Sequence, residues 1–271
     1  MIEIQNLSKR FKRKDALVGV NLQLGPGIYG LLGPNGSGKT TLLRCMVGLL
    51  SANTGTVIVD GTIGYLPQRF GMQKQLTVYD AMSFFATIKG INKNQRRNTI
   101  QGCLEQVNLL DREHDRIGSL SGGMVRRLGI AQALLGDPAL LLFDEPTAGL
   151  DPEERMRFMI LLSQLPRNIT TVISTHIVED VEAVCKQIVI LHQGRILAQG
   201  SLDAIRQKAE GKVYEVKEEE IEKTNKPYEI LREEYINGMR RFRILSDLNQ
   251  PGRIVSPTVE DGYIRCIREK V

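Results

Sequence analysis

Tryptophan is absent, aromatic residues make up only 5% of the 271, and the four cysteines stand far apart with no C-x-x-C pair among them. Each shortage removes a class of protein. There is no tryptophan and no long basic tract with interleaved aromatics, so no nucleic-acid partner is expected despite a formal charge of +5. Scattered cysteines (Cys45, Cys103, Cys185, Cys266) suit unpaired, buried thiols in a reducing compartment. No apolar run approaches the roughly 18 residues that a membrane span needs. The opening Met-Ile-Glu-Ile-Gln alternates like a strand and has none of the apolar stretch of a secretion signal. A soluble, cytoplasmic protein is the expectation. The cluster Lys9, Arg10, Lys12, Arg13, Lys14 reads either as a solvated turn or as a contact for phosphates or anionic headgroups.

What is present centres on Gly33-Pro34-Asn35-Gly36-Ser37-Gly38-Lys39-Thr40, followed by Thr41, which fits the phosphate-loop pattern G-x-x-x-x-G-K-[ST]. Ile28–Leu32 before it reads as a short buried strand, and the apolar run from Thr41 to Leu50 reads as a helix. Strand, glycine-rich loop and helix in that order are the context the pattern requires. Glycines let the backbone turn its N–H groups toward phosphate oxygens, and the helix N-terminus adds partial positive charge. Lys39 can then reach β- and γ-phosphates, and the Thr40 hydroxyl can take a Mg²⁺ ion.

Upstream, Ile2/Ile4 and Val18/Val20/Leu22/Leu24 alternate with polar residues, predicting two half-buried antiparallel strands. Phe11 lies between them, either in the core or as a face on which adenine could stack. Downstream, Thr56–Asp60 and Thr62–Leu66 read as strands, the second stopped by Pro67 with Gln68 at its exit. Residues 70–118 carry helical signals only, with Thr77 and Asp80 set as a capping pair. Met72, Met82, Phe84 and Phe85 in this stretch either offer a docking surface or pack within it. Leu120-Ser121-Gly122-Gly123-Met124 opens another helix.

Ala139–Phe143 is a continuous apolar run ending in Asp144 and Glu145, the look of a strand buried on both faces of a parallel sheet. Carboxylates at that end lie where such sheets bind ligands. Asp144 can hold Mg²⁺ and Glu145 can polarise an attacking water. Asp151 with Pro152 and Glu154 reads as a helix start. Thr170–Ser174 is β-rich and precedes His176. After Gly211, an acidic run from Glu215 to Glu222 reads as a solvated linker or edge, and an Asn237-Gly238 turn predicts a hairpin.

Taken together, these motifs resemble the ATP-binding cassette (ABC) family, in particular the nucleotide-binding subunit of a membrane transporter. The resemblance spans roughly residues 1–210. Phe11 stands where that family has its adenine-stacking aromatic, Gly33 to Thr41 as its Walker A loop and Gln68 as its Q-loop glutamine, beside the metal. Ser121, Gly122 and Gly123 stand in its signature, Asp144 and Glu145 as Walker B with the catalytic glutamate, Asp151 in its D-loop and His176 as its switch histidine. Two residues depart from the pattern: Met124 replaces the usual glutamine, and Lys12 the glycine after the aromatic.

The resemblance implies an α/β fold: a P-loop core with a mixed sheet and an N-terminal antiparallel part, comprising residues 1–210. A helical signature subdomain is inserted at about 70–135, and a small α+β appendage occupies 211–271. It implies a transport-coupled ATPase using ATP and Mg²⁺, with Glu145, His176 and Gln68 in catalysis. Ser121 to Gly123 would close over the ATP of a facing subunit, a second copy or a paralogue. The partner would be a transmembrane permease holding the chain peripherally on the inner face of the cell membrane, with export of a drug, antibiotic or lipid-type substrate expected. The alternative is a soluble ABC-type ATPase acting on ribosomes or nucleic acid. Those resemble tandem cassettes or chains with a long inserted arm, and this chain has neither.

Overall fold

The computed structural model describes residues 1–166, 168–236 and 238–269. They fall into two compact units: Met1–Lys186 with Leu191–Ile196, and Gln187–Ile190 with the chain from Leu197 on.

In the first unit, strands β1 (Ile2–Phe11) and β2 (Lys14–Leu24) pair antiparallel, Ile2 opposite Leu24 and Phe11 opposite Lys14. Their alternation sorts the residues by face: Ile2, Ile4, Leu7, Val20, Leu22 and Leu24 are buried. Next come β3 (Gly27–Leu32), helix α1 (Lys39–Met46), β4 (Thr54–Val59) and β5 (Ile63–Leu66). β4 completes the antiparallel sheet on the other edge of β1. The turn between β1 and β2 places Lys12 at φ 48°, the left-handed region. The chain there has the conformation the absent glycine would give, at a cost of about 1 kcal/mol for a side chain. Lys12→Gly is therefore expected to raise stability by about 0.5–1 kcal/mol. Thermal unfolding checks this, and a lower melting temperature would contradict it.

Three helices follow: α2 (Val78–Ile88), α3 (Lys93–Gln106) and α4 (Gly122–Leu134). Thr77 caps α2, its hydroxyl oxygen accepting from the Asp80 N–H at 3.0 Å. Met82 is fully buried among them and belongs to the core, whereas Phe84 is 60% exposed. The chain then alternates β6 (Leu140–Asp144), α5 (Pro152–Ser163), β7 (Thr170–Thr175) and α6 (Val178–Val184). β5, β6, β7 and β3 lie side by side and parallel, so that Tyr65, Leu142, Val172 and Tyr29 form one row. Every residue of β6 is buried, as its unbroken apolar run requires. The fold is α/β with an antiparallel sheet at its N-terminal end. The carboxyl ends of β3, β5, β6 and β7 point the same way, which brings Gly33, Gln68, Glu145 and His176 to one edge of the sheet.

Strands β8 (Gln187–His192) and β9 (Arg195–Ser201) run across the division between the units. Helix α7 (Leu202–Arg206), β10 (Val213–Lys217), helix α8 (Glu218–Ile221), β11 (Glu229–Ile236), β12 (Met239–Leu245), β13 (Arg253–Ile254) and helix α9 (Val259–Arg268) follow in the second unit. The sheet order is β11-β12-β10-β13. The acidic run is not a linker. Its first part lies in β10, where Tyr214 and Val216 are buried with Phe242 and Ile244 while Glu215 points away from that cluster. Alternation outweighs the charge count there, and Glu218–Ile221 form α8. β11 and β12 pair up to Ile236 opposite Met239, as the hairpin signal predicts, although Asn237 itself lies outside the described residues.

Candidate functional site

The loop after β3 is shaped by close approach. A Cβ on Gly33 would lie 2.1 Å from the Leu191 carbonyl oxygen, and one on Gly38, at φ 112°, would lie 2.5 Å from the Ala16 carbonyl oxygen. Only glycine fits either place. Inside this curl the Lys39 ammonium donates to the carbonyl oxygens of Gly33 at 2.7 Å and Pro34 at 3.2 Å. Lys39 is only 5% exposed. Burial pushes its pKa down, opposed by the carboxylates of Glu145 and Asp144. The Ser37 hydroxyl is enclosed and has no hydrogen-bond partner among the described residues.

At the end of β6, Asp144 is completely buried. Its Oδ1 accepts from the Ser174 hydroxyl at 2.7 Å and the Thr40 hydroxyl at 3.1 Å. Its Oδ2 is enclosed with no protein partner among the described residues. A buried carboxylate oxygen left unpaired is costly, and beside a threonine hydroxyl it suits a hard cation. No group of three or more His, Cys, Asp or Glu side chains able to hold a metal occurs among the described residues. A cation held by Thr40 and Asp144 would therefore complete its shell with water and phosphate oxygens, as Mg²⁺ does.

Glu145 adopts φ 46°, a strained conformation for a side-chain-bearing residue. Its N–H is fixed by Ser174, through the carbonyl at 3.1 Å and the hydroxyl at 3.0 Å. The carboxylate stands among three groups: Lys39 Nζ at 3.7 Å, His176 Nδ1 at 3.5 Å, and Gln68 Nε2, which donates to it at 2.8 Å. In front lies an open cleft of about 340 Å³ lined by Phe11, Lys14, Ala16, Asn35, Gly36, Gly38, Lys39, Thr40, Thr41, Gln68 and Glu145. Phe11 is thus not a core residue. It is 45% exposed, and Lys9, anchored on the Ser51 carbonyl at 2.6 Å, holds its ammonium 5.4 Å from the ring centroid.

The remaining predicted residues stand apart from this cleft. Ser121 caps α4, its hydroxyl accepting from the Met124 N–H at 3.2 Å, and Ser121 and Gly122 are exposed. Gly123 is buried against Glu154, whose carboxylate would have to shift to admit a Cβ. Asp151 caps α5, accepting from the Glu154 N–H at 2.8 Å. Sequence reasoning missed Ser174, Thr147 and Asp180, while Lys14, one of the basic cluster read as a solvated turn or a phosphate contact, lines the cleft. Ser174 touches both acidic residues of the cleft, but a serine at the end of a β run carries no local mark of that contact.

The geometry joins a cradle of backbone amides, a buried cation, a cation-ready carboxylate and a second carboxylate able to orient water. The ABC transporter family profile matches residues 17–148. The linearmycin resistance ATP-binding protein LnrL of Bacillus subtilis is 34% identical over 215 residues, 74% of this chain and 69% of its own. The Nod factor export ATP-binding protein I of Burkholderia orbicola is 35% identical over 218 residues, 75% of this chain and 72% of its own. Among solved structures, the dimeric bacterial ABC transporter cassette MJ0796 superposes with a TM-score of 0.66 at 26% identity, covering 74% of this chain and 99% of that one. The chain belongs to the ABC transporter family as one of its ATP-binding, ATP-hydrolysing subunits.

Proposed function

We propose that the chain powers a partner membrane permease, with nucleotide-driven closure of two cassettes and hydrolysis-driven reopening. ATP lies in the cleft, its adenine against Phe11 and its β- and γ-phosphates over Gly33 to Thr41, where Lys39 leaves the loop carbonyls to bind them. Thr40 and Asp144 would hold Mg²⁺, with Gln68 a further candidate ligand, and the ion would neutralise phosphate charge there. Glu145 orients the attacking water, and His176 stabilises charge near the γ-phosphate. Ser121, Gly122 and Gly123 act elsewhere. Together with Asp151 they close over the ATP of a facing subunit, a second copy or a paralogue. The dimeric form of the similar cassette MJ0796 supports that arrangement.

The observation that carries the transport reading is the path from Gln68. Its amide holds Glu145, and the chain beyond it enters an apolar groove lined by Gly71, Met72, Gln73, Leu76, Asp80, Ala81, Phe84 and Phe85. Phe84 and Phe85 meet edge to face at 5.5 Å, and Phe84 is largely exposed. A permease segment seated there would feel changes at Glu145 through Gln68. No helix among the described residues is long and apolar enough to cross a membrane, so in this reading the permease holds the chain peripherally on the inner face of the cell membrane. The Nod factor export relative, with the linearmycin resistance relative beside it, favours export; a drug, antibiotic or lipid-type cargo is part of the proposal. Co-expression with a candidate permease, a protein carrying several membrane-spanning helices, tests the reading. Wild type is expected to copurify with it and Phe84→Asp to lose it, with ATPase activity of the isolated chain within about twofold, since surface substitutions rarely disturb a distant site. Undiminished copurification of Phe84→Asp would overturn the docking site.

A further inference from the structure

Asp180, on α6, is a buried carboxylate outside the cleft, with 3% of its surface exposed. Its Oδ1 accepts from Arg155 Nε of α5 at 2.6 Å. Its Oδ2 accepts from the Thr147 hydroxyl at 2.7 Å and, more weakly, from the Thr175 hydroxyl at 3.4 Å. Thr147 lies two residues after Glu145, in a turn closed by Ala148 N–H to the Glu145 carbonyl and Leu150 N–H to the Thr147 carbonyl, both at 3.2 Å. Thr175 directly precedes His176, and its hydroxyl also takes the Ile177 N–H at 3.0 Å, so the two bonds of Thr175 bracket the histidine. Arg155 lies on the helix capped by Asp151, and its own N–H donates to the Asp151 carbonyl at 2.8 Å. One buried charge therefore ties together the turn after Glu145, the residue before His176 and the helix that starts at Asp151.

We propose that Asp180 is a positioning residue for ATP hydrolysis, locking the Glu145 turn and the His176 exit into one rigid frame. It touches neither substrate nor the reacting atoms. It acts by fixing the separation of Glu145 and His176, now 3.5 Å, against the strain of the Glu145 backbone. Ser174 ties the same two segments at the strand level, and Asp180 ties them again beyond the turn, where Ser174 does not reach. Arg155 supplies the opposite charge that pairs with the buried carboxylate, and its 2.6 Å hydrogen bond fixes the carboxylate's orientation. The inference rests on the roles given to Glu145 and His176 above.

Removing Asp180 outright strands Arg155 beside a cavity and endangers folding, so the sharper probe is the Thr147 hydroxyl. Thr147→Val keeps the shape and deletes one bond to Asp180, and Thr147→Ser keeps the hydroxyl. In the full chain, Thr147→Val is expected to lower kcat about tenfold, the order expected when catalytic groups lose alignment, with ATP affinity within about twofold of wild type. Thr147→Ser should restore kcat. Two results would overturn the lock: a folded Thr147→Val protein with wild-type kcat, or equal losses of kcat and ATP affinity in both variants, which mark a merely structural threonine. Glu145→Gln serves as the reference. If it turns over ATP normally, the reading of the site fails and takes this inference with it. If Glu145→Gln is silent while Thr147→Val is fully active, only the Asp180 lock fails.

Discussion

Glu145→Gln is expected to bind ATP and nearly cease to hydrolyse it, with kcat lower by about 10²–10³, the usual loss when a polar group aimed at the transition state is removed. The glutamine keeps the side chain's length and its place between Gln68 and His176, so the cleft keeps its shape. What disappears is the negative charge that orients and polarises water. The neighbouring Lys39 also loses one of the two carboxylates that favour its charged form, leaving Asp144 to compensate the cation. Phosphate release under multiple turnover, together with the amount of ATP retained by the protein, reads both halves of the expectation. A variant that hydrolyses at the wild-type rate would remove Glu145 from the chemistry.

Lys39→Ala is expected to weaken MgATP binding by about 10²-fold, because a buried cation that bonds phosphate is worth roughly 1.5–3 kcal/mol or somewhat more in a shielded site. Lys39 rests on the carbonyls of Gly33 and Pro34 inside the loop, so its removal empties the centre of the cradle. The two carboxylates at the sheet edge then face the phosphates with no protein cation between them, and repulsion adds to the loss. Calorimetric titration of the folded variant checks this. Undiminished affinity would show that phosphates do not sit over this loop.

The phosphate loop was legible in the sequence because its requirements are local: glycines at Gly33 and Gly38, a lysine and a threonine at the helix start. The same holds for β6, whose apolar run ends at Asp144, and for the caps Thr77 and Asp151, each followed by an acidic residue three positions on. Phe11 was ambiguous because an aromatic between strands can face inward or outward, and only its neighbours decide. Lys12 looked like a departure from the family pattern, yet its backbone keeps the glycine conformation. The partners of the acidic residues were not legible. Ser174 meets Asp144 across 30 residues of chain and Asp180 meets Thr147 across 33, and neither pairing leaves a local trace. The acidic run misled for the opposite reason: its charges are conspicuous, while the alternating Tyr214 and Val216 that build β10 are not.

The cleft of a single chain lacks Ser121, Gly122 and Gly123, so completion of one site by two chains is the central point at stake. Light scattering of Glu145→Gln with and without MgATP tests it, because nucleotide held between subunits links dimerisation to ATP concentration by mass action. A monomer is expected without nucleotide and a dimer with MgATP, reverting to monomer when Ser121→Arg is added. A Glu145→Gln protein that binds ATP yet stays monomeric at high concentration would contradict closure between two copies of this chain.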